Sequence, residues 1–315
     1  MPFVKQSFFV LCFFLVLVNA KAQQMAHFSQ YFAIPEIYNP ATITADYKFN
    51  AVGLFRQQWV GVENAPQSLF FAVSAPFQLF KQSHGVGIMF TNDTYGVCAT
   101  QSVFLQYAFK YRIKENTLSF GLNVGFLNHT IDGEKVSLIT SDYHTETDPI
   151  IPTSKINAMA FDLAVGAAWK AKKYHVGVSF LRLTKPEFDL DDNIKTSFSQ
   201  FLCFIGGYTY QLPQKRYELR GEGLVKTDFK SFQFNIDALF TIDQRYYLGL
   251  GWRFQDAVVF MAGFYLPFGL NLGYSYDLAT TKLFNYSSGS HEVYLRYSFL
   301  FGKKKQNSYK SVRIL

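Results

Sequence analysis

The stretch FQFNIDALFTI, residues 232–242, alternates along its whole length. Phe232, Phe234, Ile236, Ala238, Phe240 and Ile242 fall on one face; Gln233, Asn235, Asp237 and Thr241 fall on the other. Successive side chains of an extended chain point to opposite faces, so a period of two marks a strand with two unlike sides. The pattern recurs along the chain. Leu118, Phe120, Leu122, Val124 and Phe126 oppose Ser119, Gly121, Asn123 and Gly125, and Phe161, Leu163, Val165, Ala167 and Trp169 oppose Asp162, Ala164, Gly166 and Lys170. Near the end, Leu270, Leu272, Tyr274 and Tyr276 oppose Asn271, Gly273, Ser275 and Asp277, and Val293, Leu295, Tyr297, Phe299 and Phe301 oppose Glu292, Tyr294, Arg296 and Ser298.

Alternation suits a soluble sandwich as well as a membrane barrel. Length separates the two: the segments run to about ten residues or more, enough for a tilted bilayer crossing. About fourteen fit between residues 47 and 301, an even number as in closed bacterial barrels. The connections also sort by length. With the first strand (47–61) leaving the periplasm, the outward hairpins include 131–155, 183–195 and 278–289. The inward turns are short: 113–116, 170–173, 211–214 and 242–244. Long external loops over short periplasmic turns are the outer-membrane arrangement. The expected fold is all-β, a transmembrane antiparallel β-barrel.

Composition agrees. Aromatics make up 18% of the chain, with 35 Phe and 20 Tyr, against 17% charged residues and 49% hydrophobic residues. Mean hydropathy is only +0.02. Many half-buried aromatic faces without overall greasiness fit a barrel. Residues 1–22 read as a signal peptide: Lys5, an apolar run over 7–18 and an A-x-A-like site at Ala20-Lys21-Ala22. Cleavage would start the mature chain at Gln23 and remove Cys12, leaving Cys98 and Cys203, whose spacing settles no pairing. Residues 23–46 do not alternate and carry Pro35 and Pro40 among Phe28, Tyr31, Phe32, Ile34 and Tyr38. That composition is too apolar for a disordered linker and predicts a plug in the lumen or a periplasmic segment. Residues 302–315 form a basic periplasmic tail.

No G-x-S-x-G, H-E-x-x-H, Walker or C-x-x-C pattern is present, and no cofactor or metal motif. His144, Glu146 and Asp148 supply metal-binding atom types but read as a solvated loop. Ser290 and His291 are adjacent on a strand, point to opposite faces and so form no dyad. The expected protein is not an enzyme. Inward positions carry both signs: Asp162, Glu218, Arg220, Glu222, Asp237, Arg253, Asp277, Glu292 and Arg296, a pattern of cross-strand ion pairs rather than a one-sign ring. The formal charge is +7, and much of it lies in Lys303, Lys304, Lys305, Lys310 and Arg313. For an exported barrel the expected partner of such a tail is anionic lipid or an acidic protein, not nucleic acid.

Three blocks resemble the PorP/SprF family. The first is Phe28-Ser29-Gln30-Tyr31 followed by Asn39-Pro40-Ala41. The second is Arg56-Gln57-Gln58-Trp59-Val60-Gly61, then Ala65-Pro66 and a strand ending Ala75-Pro76. The third is Gly273-Tyr274-Ser275-Tyr276-Asp277, then Tyr286-Ser287 and Gly289-Ser290-His291-Glu292. The resemblance implies an outer-membrane component of the type IX secretion system of a Gram-negative bacterium, without catalytic residues. It implies docking to periplasmic ring lipoproteins, or export and surface anchoring of a cargo such as a gliding adhesin through its C-terminal domain. It marks Asn39, Pro40, Arg56, Trp59, Asp277, Gly289, His291 and Glu292 as partner or barrel-closure positions; the inward alternation adds Arg296 to these candidates, and the basic charge of the tail adds Lys303, Lys304 and Lys305. For the side chains themselves the plainer expectation is structural, with Arg56 an ion-pair partner, Trp59 a girdle aromatic and the first and last strands pairing to close the barrel. The competing functions are a passive channel, a FadL-like transporter of hydrophobic substrates, and a surface hydrolase.

Overall fold

The computed structural model describes residues 25–44, 48–135, 152–191 and 194–300. Residues 1–22, expected as a signal peptide, the 144–148 donor group and the tail lysines lie outside them. The strands are β1 (Phe49–Gln57), β2 (Gln67–Leu79), β3 (Gln82–Tyr95), β4 (Cys98–Ile113), β5 (Asn116–Asp132), β6 (Lys155–Lys170), β7 (Tyr174–Leu181), β8 (Glu187–Asp191) and β9 (Ile194–Ser197). They continue as β10 (Phe201–Gln211), β11 (Tyr217–Thr227), β12 (Phe232–Ile242), β13 (Tyr246–Arg253), β14 (Ala257–Tyr265), β15 (Leu270–Ala279) and β16 (Ser290–Phe299). All but β8 and β9 form one closed 14-stranded antiparallel barrel. Neighbours in sequence pair throughout, and β1 closes against β16 from Phe49↔Phe299 to Gln57↔His291.

The quoted stretch becomes β12. Ile236 is 49% exposed, whereas Asp237 is 4% and Leu239 1% exposed. The apolar face therefore points outward on every such strand, with Phe71, Leu105, Phe126, Phe204, Leu248 and Leu295 all exposed. An apolar surface that surrounds a molecule is a lipid contact surface. No helix among the described residues is long and apolar enough to cross a membrane. The chain crosses with strands.

One end of the barrel carries the short turns, such as Lys114-Glu115 between β4 and β5 and 243–245 between β12 and β13. The other carries the long connections. The first strand ends early, and two of the loops hold structure of their own. β1 stops at Gln57, not 61, because Trp59 adopts a left-handed backbone (φ 45°) and donates its N–H to Ser290 Oγ (3.1 Å), which turns the chain out of the sheet. The 183–195 loop contains the hairpin β8–β9. Its inner face, Phe188 and Leu190, is buried with Phe198, and His129 packs on Phe188 and Phe198 at 5.5 and 5.2 Å between ring centres. The 278–289 loop holds a short 3-10 turn, Lys282–Asn285.

Candidate functional site: the lumen and its N-terminal segment

Residues 25–44 run through the lumen. Three short 3-10 turns, Tyr31–Ala33, Pro35–Ile37 and Pro40–Thr42, shape them. Proline opens the second and third, where its fixed φ suits a first helical position and its missing N–H costs nothing. Asn39 caps the third: its Oδ1 accepts from Ala41 N–H at 2.9 Å, and Thr42 Oγ1 donates to its carbonyl at 2.7 Å. The segment descends from the long-loop end, where Met25 and Ala26 line a small cavity with Asp93 and Arg182. It ends at the short-turn end, where Lys110 donates to the Thr44 carbonyl.

A buried ionic cluster holds the upper part. Asp277 on β15 accepts from Arg56 Nη2 on β1 at 2.7 Å and from Arg253 Nη1 on β13 at 3.1 Å. Ser29 sits between them: its hydroxyl donates to Asp277 at 2.7 Å and accepts from Arg56 Nη1 (2.9 Å) and Arg253 Nη2 (2.7 Å). Glu292 on β16 accepts the backbone N–H groups of Ser29 (2.8 Å) and Gln30 (2.7 Å) and lies 3.2 Å from Arg56 Nη1. Asp256 completes the charge balance on Arg253 at 3.0 Å. Arg56, Arg253, Asp277 and Glu292 are each at most 2% exposed, so every charge depends on the others for compensation. Arg56 and Glu292 are also directly opposite in the β1–β16 register, so the cluster straddles the seam that closes the barrel.

Lower contacts fix the descent. Tyr247 donates to Gln30 Oε1 at 2.7 Å, Arg296 Nη2 reaches both oxygens of Glu36 at 2.8 and 3.1 Å, and Ser179 donates to the Tyr38 carbonyl. Asn39 Nδ2 donates to the carbonyls of Ala167 (3.0 Å) and Val178 (3.2 Å). Those bonds need the segment to touch the wall. Gly121, Gly166 and Gly177 on β5, β6 and β7 make the room: a Cβ at Gly177 would lie 2.6 Å from Asn39 Nδ2, and one at Gly121 or Gly166 would run into residues 39–41.

Of the residues singled out in the sequence, Arg56, Asp277 and Glu292 meet in the cluster. Arg296 lies lower on the same strand as Glu292, and Asn39 and Pro40 sit at the far end against the glycines. Gly289 takes a left-handed φ of 85° and its carbonyl accepts from Val60 N–H at 2.8 Å, tying the two outer connections. Trp59 is not on a strand; it lines a small cavity beside Arg56, Arg253 and Asp277. His291 stands apart, its Nδ1 2.7 Å from the Tyr274 hydroxyl on the outer face, while Ser290 is buried. Cys98 and Cys203 are both free. Glu36 and Tyr247 join the site without having been singled out, and Ser29 joins it from within a quoted block. Glu36 carried one signal, as the sole charged residue between Gln23 and Ala45. Among the described residues no group of His, Cys, Asp and Glu could hold a metal ion.

The chain matches the family described as type IX secretion system membrane protein PorP/SprF over residues 20–297. It belongs to the PorP/SprF family. No curated protein matches it. Among solved structures it is similar to the CymD monoaromatic hydrocarbon channel, at 10% identity and TM-score 0.55 over 86% of this chain and 93% of that one. It is also similar to the Pseudomonas putida toluene transporter TodX (10% identity, TM-score 0.48, 89% and 96%) and to a Pseudomonas aeruginosa FadL homologue (8%, 0.47, 84% and 93%). At such identities the likeness to CymD establishes a shared barrel fold. The three sequence blocks of this PorP/SprF protein map onto the lumenal segment, the β1–β2 connection and the β15–β16 hairpin, and all but Asn39-Pro40-Ala41 and Ala75-Pro76 meet around the ionic cluster.

Proposed function

We propose that this PorP/SprF barrel, with residues 1–22 removed, sits in the outer membrane with its short turns and tail in the periplasm and works without catalysis. It docks the periplasmic ring lipoproteins of the type IX machinery, or helps export and anchor an adhesin cargo through its C-terminal domain. The observation that supports this reading is the lumen. Arg56, Lys110, Arg253, Asp277, Glu292 and Arg296 on its wall all bind the chain's own N-terminal segment, so that residues 25–44 act as a plug and the barrel serves as a platform rather than an open conduit. Deleting the gene and comparing the surface and secreted proteomes tests it. Loss of a cargo protein is expected; an unchanged proteome with lost uptake of a small solute would favour a transporter instead. Purification in mild detergent should retain ring lipoproteins or cargo, and a barrel that purifies alone under varied conditions would count against both partners.

A further inference from the structure

The short-turn end is basic. Its turns carry Lys81, Lys114, Lys172, Lys173, Lys215 and Arg245, all exposed, and Arg216, against only Glu115 and Asp243. Asp243 is already paired with Arg216 at 2.8 Å. A cavity of about 280 Å³ opens at this end beside the β6–β7 turn. Lys172 and Lys173 stand at its edge, Phe32 from the lumenal segment forms part of its wall, and Arg220, His175 and Glu222 line it from β11 and β7. Arg220 remains 27% exposed there, its guanidinium 5.0 Å from the Phe32 ring centre and its Nε 3.3 Å from Glu222, which His175 Nε2 also approaches at 3.2 Å.

We propose that this face, with the cavity at its edge, binds an acidic peptide segment of a protein partner. The inference rests on the docking role proposed above and names the surface that carries it. Charge selects an anionic ligand, and a concave site with an aromatic wall and a few fixed polar groups suits a chain that inserts a side chain. The protein's own tail does not fit. β16 ends at this face, and the sequence that follows includes Lys303, Lys304 and Lys305, of the same sign as the face. An anionic lipid headgroup fits the outer rim, where Tyr174 and Val176 also line the cavity, but not its inner wall, which Phe32, Ala41 and Thr42 of the lumenal segment form.

The test uses the mature chain in zwitterionic phosphatidylcholine nanodiscs and a fluorescein-labelled octaglutamate peptide, read by fluorescence anisotropy. Binding should weaken as salt rises. Lys172→Glu with Lys173→Glu should lower the affinity roughly tenfold, as should Arg220→Gln, while Lys135→Glu with Lys195→Glu at the opposite end leaves it unchanged. No binding by the unaltered protein, or equal losses from both lysine pairs, overturns the proposal. So does an unchanged affinity in Arg220→Gln, which would remove the cavity from the site. Retained peptide affinity in Lys172→Glu/Lys173→Glu together with reduced co-purification of phosphatidylglycerol would make the face a lipid site and also overturn it. The proteome comparison is independent: binding without cargo loss upsets the secretion role alone, and cargo loss without binding upsets this surface alone.

Discussion

Asp277 is the residue on which the cluster balances, since both buried arginines and the Ser29 hydroxyl converge on its carboxylate. Replacing it with Asn keeps the shape and removes the charge, leaving Arg56 and Arg253 to share Glu292 and the partly exposed Asp256. Breaking a buried pair in this way costs about 3–5 kcal/mol because the surviving charge is uncompensated. Asp277→Asn should lower the urea midpoint of the folded barrel in vesicles, scored by the heat-modifiable gel shift; a midpoint within error of the unaltered protein would show that the cluster contributes no stability. Ser29→Ala removes one buried hydroxyl and should cost less, about 1–3 kcal/mol. Asp277 and Glu292 were legible because alternation places them inward and a quoted block contains them, and Arg56 because a second quoted block marks it as an ion-pair partner. Glu36 was not, since its partner Arg296 lies 260 positions away along the chain and no local period links them.

At the scale of elements, the three glycines do what no alternation rule announces. Gly121 and Gly166 face each other across β5 and β6, and Gly177 follows on β7, so the wall is thinned where Asn39-Pro40-Ala41 arrives. In the sequence Gly121 and Gly166 read as ordinary small inward residues; the purpose of all three depends on a segment about a hundred residues away, which no strand pattern encodes. Gly121→Val should push residues 39–41 off the wall at an overpacking cost of about 1–3 kcal/mol, while the outward face and register of β5 stay as they are. The expected signature is a barrel that still migrates as folded before boiling, with new protease cleavage between residues 25 and 44. Resistance equal to the unaltered protein would mean that the contact does not hold the segment. The hairpin β8–β9 escaped notice for a related reason. Glu187-Phe188-Asp189-Leu190-Asp191 is short and acidic enough to pass for a loop; its pairing with β9 and the burial of Phe188 and Leu190 against the barrel hold it as a strand.

For the molecule as a whole, the fold was legible because every strand answers to the same two solvents, lipid outside and a polar interior, and that constraint repeats along the chain. What occupies the interior was legible as an apolar segment that fails to alternate, expected as a plug or a periplasmic segment, but its contacts were not. An eight-stranded barrel is just wide enough to fill with its own side chains, and wider ones leave space. With fourteen strands, the space here holds residues 25–44, pinned from Ser29 near the long loops to Thr44 near the short turns. The intact protein in a planar bilayer should therefore conduct ions weakly, and a chain lacking residues 25–44 should show discrete openings with ohmic, salt-proportional conductance. Because the segment's contacts span the β1–β16 seam, that deletion also risks loss of closure. A milder variant, Glu36→Ala with Arg296→Ala, removes both partners of one lumenal ion pair and so leaves no unpaired charge. It should raise the frequency of brief openings without changing gel migration. If the intact barrel conducts as well as the deletion, the segment leaves a path beside it, and the platform role would have to rest on the outer surfaces alone.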